Sequence, residues 1–105
     1  NFITNKKVVG QLAQIKNSTS YKLKNILTGS IVLIEGADPG YDWIFSFNIK
    51  ALITKFGGIN SHMSIRCAEF GLPAMIGCGE QIFHKLESSN SIILNCETKK
   101  IEIVN

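Results

Sequence analysis

Arginine, proline, tryptophan and long apolar runs are scarce in this chain, and each scarcity removes a class of function. Of 11 basic residues only Arg66 is an arginine, and the net charge is +3. The lysines are spread from Lys6 to Lys100, and the pairs Lys6-Lys7 and Lys99-Lys100 read as solvated surface. Nucleic-acid binders gather basic charge into a patch and interleave aromatics with it, so a nucleic-acid partner is not expected. No stretch approaches the roughly 20 apolar residues needed to span a bilayer, and no signal peptide is visible. A membrane partner is therefore not expected either. The 3 cysteines, Cys67, Cys78 and Cys96, are odd in number and form no C-x-x-C. That argues against a disulfide framework or a zinc site. Reduced thiols in a cytoplasmic protein are the simpler reading, with Cys67 as a small core hydrophobe. There is no internal repeat and no low-complexity tract. The chain begins at Asn1 rather than Met, and an excised fragment of a larger protein is expected.

What remains is enough for one domain. The 105 residues are 45% hydrophobic, with a mean hydropathy of +0.15, which fits a globular chain with a single core. Strands are predicted at Val8–Ile15, Ile31–Glu35, Ala51–Thr54, Ala74–Ile76, Ser91–Asn95 and Lys100–Val104. Ile31–Ile34 and Ile92–Leu94 are unbroken apolar runs, as in strands covered on both faces. Helical pieces are predicted at Asp42–Phe47, with Asp42 as N-cap, at Ser61–Phe70, and at Glu80–Lys85. Residues 17–20 read as a surface loop. About six strands with two or three short helices make an α/β or α+β domain, whose strand order periodicity does not give.

The Ser61–Phe70 segment holds the candidate site. Gly57-Gly58 opens the loop before it, and Gly71 and Pro73 close it. At helical spacing Ser61, Ile65, Ala68 and Leu72 fall on one side, widened by Met63, Cys67 and Phe70. His62, Arg66 and Glu69 fall on the other. His62 is thus expected on the solvent side of a first turn. First-turn N–H groups lack intrahelical partners and carry partial positive charge, so the position attracts anions and favours a neutral, nucleophilic imidazole. Arg66 leans back toward His62 and could grip phosphate oxygens in a fork. Glycines before the helix allow close approach of a large partner. These features permit a site without identifying its reaction. A plain surface histidine and an Arg66–Glu69 surface pair fit them as well. Asp38 and Asp42 read as turn and cap residues, no carboxylate cluster suits Mg²⁺, and His84 reads as a surface residue without a role.

The segment from Thr54 to Gly77 resembles the signature of the mobile, swivelling phosphohistidine domain of phosphoenolpyruvate-utilising enzymes, T-x-x-G-G-x-x-S-H-x-x-I-x-x-x-E-x-G-[IL]-P-A-x-x-G. Thr54, Gly57, Gly58, Ser61, His62, Ile65, Glu69, Gly71, Leu72, Pro73, Ala74 and Gly77 all fall in register. Gly36–Phe45 resembles the Asp/Pro/Trp stretch that precedes the signature, and the likeness covers about residues 30–104. The resemblance implies a compact swivelling β/β/α domain in which His62 is the phosphoacceptor, through Nε2. Thr54 and Ser61 would support the ring, and Gly57 and Gly58 would shape its loop. The domain would carry a phosphoryl group between two active sites, as in phosphoenolpyruvate synthase, pyruvate phosphate dikinase and rifampin phosphotransferase. Mg²⁺ and ATP or phosphoenolpyruvate would then belong to partner domains, one of them a nucleotide-binding (ATP-grasp-like) domain, with no cofactor on this one. Other readings of the same resemblance are the carrier domain of an antibiotic or glucan dikinase and a non-catalytic swivelling or docking module.

Two positions depart from the pattern. Asn60 stands where many members have a regulatory threonine, and has no hydroxyl to phosphorylate. The common A-R-E triplet is Cys67-Ala68-Glu69 here, so Arg66 is the candidate to replace the arginine missing at Ala68.

Overall fold

The apolar run at Ile31–Ile34 is buried at every position, and the rest of the molecule is arranged around it. The structure, a computed structural model, describes residues 1–15 and 24–104, with side chains from Ile26 onward in the second stretch. The loop expected at 17–20 lies outside the described residues. Seven strands form one curled sheet: β1 (Phe2–Ile3), β2 (Lys7–Gln14), β3 (Ile31–Ile34), β4 (Ala51–Thr54), β5 (Ala74–Met75), β6 (Ser91–Asn95) and β7 (Lys100–Ile103), in the order β1-β5-β4-β3-β2-β6-β7. Pairings β2–β3, β3–β4 and β4–β5 are parallel. The outer pairings β1–β5, β2–β6 and β6–β7 are antiparallel. The helices are α1 (Lys24–Leu27), α2 (His62–Phe70) and α3 (Glu80–Glu87), with a 3-10 helix at Pro39–Phe47.

Side-chain alternation splits the core in two. Val32 and Ile34 of β3 and Leu52 of β4 point to one layer, which Leu27, Ile44, Met63 and Cys67 complete. Ile31, Leu33, Ala51 and Ile53 point to the other, packed by Phe83, Leu86, Ile92 and Leu94. The central strands β3 and β4 are therefore covered on both faces, as the Ile31–Ile34 run required. The run Ile92–Leu94 is not: β6 buries Ile92 and Leu94 and leaves Ile93 part-exposed, because only one of its faces packs on the core. The solvent-edge strand β7 keeps its polar alternation.

The strand count is seven rather than about six. The added β1 has two residues, too few to show alternation, and is fixed by pairing with Met75 and Ala74. Several bounds shift by a residue or two. A larger correction concerns Asp42. The helix expected from Asp42 begins earlier, at Pro39, and its N-cap is Asp38, whose Oδ1 accepts the Gly40 N–H at 2.9 Å. Pro39 at the first position has its φ already set for a helix and no N–H to lose, so the start moves upstream and Asp42 is released from capping.

Candidate functional site

Parallel strands β3, β4 and β5 deliver their following loops to the same edge of the sheet, the edge where ligands bind in open α/β sheets. The 3-10 helix follows β3, the loop with Gly57 and Gly58 leads from β4 to α2, and Gly77 follows β5. Gly57 has φ +116° and Gly77 φ +70°, and a Cβ on Gly77 would run into the Gly57 carbonyl. The two glycines thus let two loops touch backbone to backbone. Gly58 has open space around it. Thr54 is fully buried; its hydroxyl donates to the Phe56 carbonyl at 2.7 Å and accepts from the Gly77 amide at 2.9 Å. It acts on the loop backbone, with no hydrogen bond to the His62 ring.

Ser61 caps α2 by position, in extended conformation, but offers its side chain to no helix N–H. Its Oγ turns back to donate to Gly58 O at 2.7 Å. The first-turn N–H groups thus keep their capacity for an anion. Gly71 ends the helix in the left-handed conformation at φ 63°, and its carbonyl accepts from Lys6 Nζ at 2.7 Å. Lys6 is thereby a helix-end contact as well as a surface charge.

The buried face of α2 is Met63, Ser64 and Cys67. It is not the Ile65/Ala68 side expected from spacing: Ile65 is 51% and Phe70 54% exposed. Apolar residues flank the His62, Arg66 and Glu69 stripe on both sides, so their pattern alone leaves the rotation ambiguous, and packing of Met63 and Cys67 with Val32, Ile34 and Leu52 decides. Burial pushes the Cys67 thiol up to about 12, as befits a core filler.

His62 and Arg66 share the outer face, their side chains 34% and 36% exposed. His62 Nε2 lies 2.7 Å from Asp42 Oδ1. Arg66 Nε lies 3.8 Å from that same oxygen, and Arg66 Nη1 lies 3.5 Å from Glu69 Oε1. The guanidinium sits over the rings of Phe70 and Phe45, 4.7 and 5.7 Å from their centroids, which limits its travel. Asp42 is the residue that sequence reasoning missed. It was visible as a carboxylate 20 positions before the histidine, but its contact depends on where the 3-10 helix starts. His84 is an exposed residue on α3. Among the described residues no group of three or more His, Cys, Asp or Glu could hold a metal ion, and no helix is long and apolar enough to cross a membrane.

The chain is similar to several known proteins. A rifampicin phosphotransferase of Bacillus cereus is 38% identical over 53 residues, covering 50% of this chain and 6% of that protein. A phosphoenolpyruvate synthase of Escherichia coli K12 is 25% identical over 75 residues, covering 71% of this chain and 9% of that protein. The chain thus spans about a tenth or less of these curated relatives. In fold it is similar to the solution NMR structure of a UPF0107 protein, with a TM-score of 0.69 and 16% identity over 99% of this chain and 96% of that one. The model of the family described as "PEP-utilising enzyme, mobile domain" matches residues 26–99, a stretch that contains Asp42, His62 and Gly77. The chain belongs to the mobile-domain family of phosphoenolpyruvate-utilising enzymes.

Proposed function

We propose that this domain is a phosphoryl carrier in which His62 takes a phosphoryl group at one active site and delivers it at another. The observation that carries the reading is a part-exposed imidazole on the first turn of α2, beside uncapped helix N–H groups and on the edge where parallel strands end. Nucleophilic relay splits one difficult transfer into two easier ones. The helix start would hold phosphate oxygens through N–H groups, and Arg66 would add a fixed cation one turn along. Thr54, Gly57, Gly58 and Ser61 would act by shaping the loop. With no metal-ligand cluster among the described residues, the divalent ion and the donor, ATP or phosphoenolpyruvate, would be held by the sites that the domain visits. Phe56, Ile59 and Ile65, each at least 50% exposed, give such a visitor apolar surface near the ring. The similarity to proteins named rifampicin phosphotransferase and phosphoenolpyruvate synthase, each far longer than the matched stretch, supports this reading.

The test is labelling of the intact protein with radioactive phosphoenolpyruvate or β-labelled ATP. An acid-labile phosphate should form, and His62→Ala should abolish it. Equal labelling of His62→Ala would end the reading. Full turnover of the intact protein with His62→Gln would favour a docking module instead.

A further inference from the structure

The short contact between His62 and Asp42 has a chemical consequence. A carboxylate oxygen has no proton to give, so at 2.7 Å the imidazole Nε2 is the donor. A protonated ring nitrogen has its electron pair in the aromatic system and cannot attack phosphorus. As long as Asp42 holds it, His62 is closed at Nε2. The same carboxylate oxygen stands 3.8 Å from Arg66 Nε. That Nε is buried and, among the described residues, has no hydrogen-bond partner. Buried donors are nearly always paired. Arg66 is fixed by Phe70, Phe45 and Glu69, whereas Asp42 is 41% exposed.

We propose that Asp42 is a positioning residue with two places to rest: on His62 Nε2 before reaction, and on Arg66 Nε once the phosphoryl group arrives. The inference rests on the carrier reading and adds the control of its nucleophile. An incoming phosphoryl group brings negative charge to the point where the carboxylate stands, and like charges at that separation repel. Arg66 is the neighbouring cation able to receive the displaced carboxylate, and its unpaired Nε gains a partner by doing so. The step balances. Nε2 gives its proton to solvent while Nδ1 takes one up. The freed Nε2 electron pair bonds to phosphorus, the bond from phosphorus to the donor oxygen breaks, and that pair stays on the donor oxygen.

The test uses the intact protein, nitrogen-15-labelled at histidine, with phosphoenolpyruvate and ATP as donors. Nitrogen NMR should show His62 at rest with the proton on Nε2, and phosphorus NMR should place the phosphate on Nε2. Asp42→Ala should lose the tautomer preference and label several-fold faster. Arg66→Gln should keep the preference and label several-fold slower, and adding Asp42→Ala should recover part of that loss, because no carboxylate then needs a second partner; a loss from phosphate binding alone would not be recovered. Asp42→Asn, which keeps the side-chain volume, guards against a folding defect. Phosphate on Nδ1 in the parent would overturn the proposal, as would an Asp42→Ala protein with an unchanged tautomer or slower labelling. Labelling that survives His62→Ala would overturn the carrier reading itself, a separate outcome.

Discussion

Thr54 and Gly77 are joined by a hydrogen bond of 2.9 Å from the Gly77 amide to the Thr54 hydroxyl. The hydroxyl in turn donates a hydrogen bond to the Phe56 carbonyl, so one buried oxygen ties the loop after β4 to the backbone after β5. Thr54→Val keeps the shape and leaves both backbone groups unpaired. Stability measured by urea unfolding should fall by about 1–3 kcal/mol, and Thr54→Ser should recover most of it. A valine variant as stable as the parent would show that these loops hold themselves.

The glycines of the same region should respond differently. Gly77→Ala meets the Gly57 carbonyl and a positive φ, so it should destabilise by more than about 1 kcal/mol. Gly58→Ala has room for its methyl group and should change stability by no more than about 0.5 kcal/mol. If the open backbone at Gly58 serves close approach of a partner, the Gly58→Ala protein should still label more slowly. Melting curves set beside labelling rates separate the two effects.

The rotation of α2 can be read by truncation. Met63 is fully buried, and Met63→Ala should cost about 2–5 kcal/mol. Ile65 stands half in solvent, and Ile65→Ala should cost about 0.5 kcal/mol or less. The reverse ranking would restore the helix face that spacing suggested.

Cys67 supplies a pH-dependent prediction. Burial disfavours the thiolate and pushes the folded-state thiol up to about 12 from its ordinary value of about 9. The folded state therefore holds its proton longer. The associated stability is complete below the unfolded value and is lost as pH rises from about 9 through about 12. The urea midpoint should decline across that window, and Cys67→Ala should flatten the decline. Iodoacetamide at pH 8.5 should modify Cys67 only after denaturation; brisk modification of the folded protein would contradict the burial.

Much of this arrangement was legible in the residues. The unbroken Ile31–Ile34 run announced a strand buried on both faces, and the diglycine, Ser61 and Gly71 bracketed α2 to within a residue. Local signals of that kind arise from backbone preferences and survive folding. Three features were not local. β1 exists only because Met75 and Ala74 offer it a ladder. The rotation of α2 was set by the core beneath it, since apolar residues flank its polar stripe on both sides. Asp42 reached the site because Pro39 moved the start of a helix by three residues, after which a cap became a neighbour of His62. The chemistry-bearing pair joins positions 20 apart, a separation that no helical or strand period reports.

The parallel run of β3, β4 and β5 sends every loop that frames the imidazole to a single rim. Under the proposed carrier role, two sites that both need the ring would meet it at the same doorway. They would take turns there, because one visitor would have to leave before the next could be served.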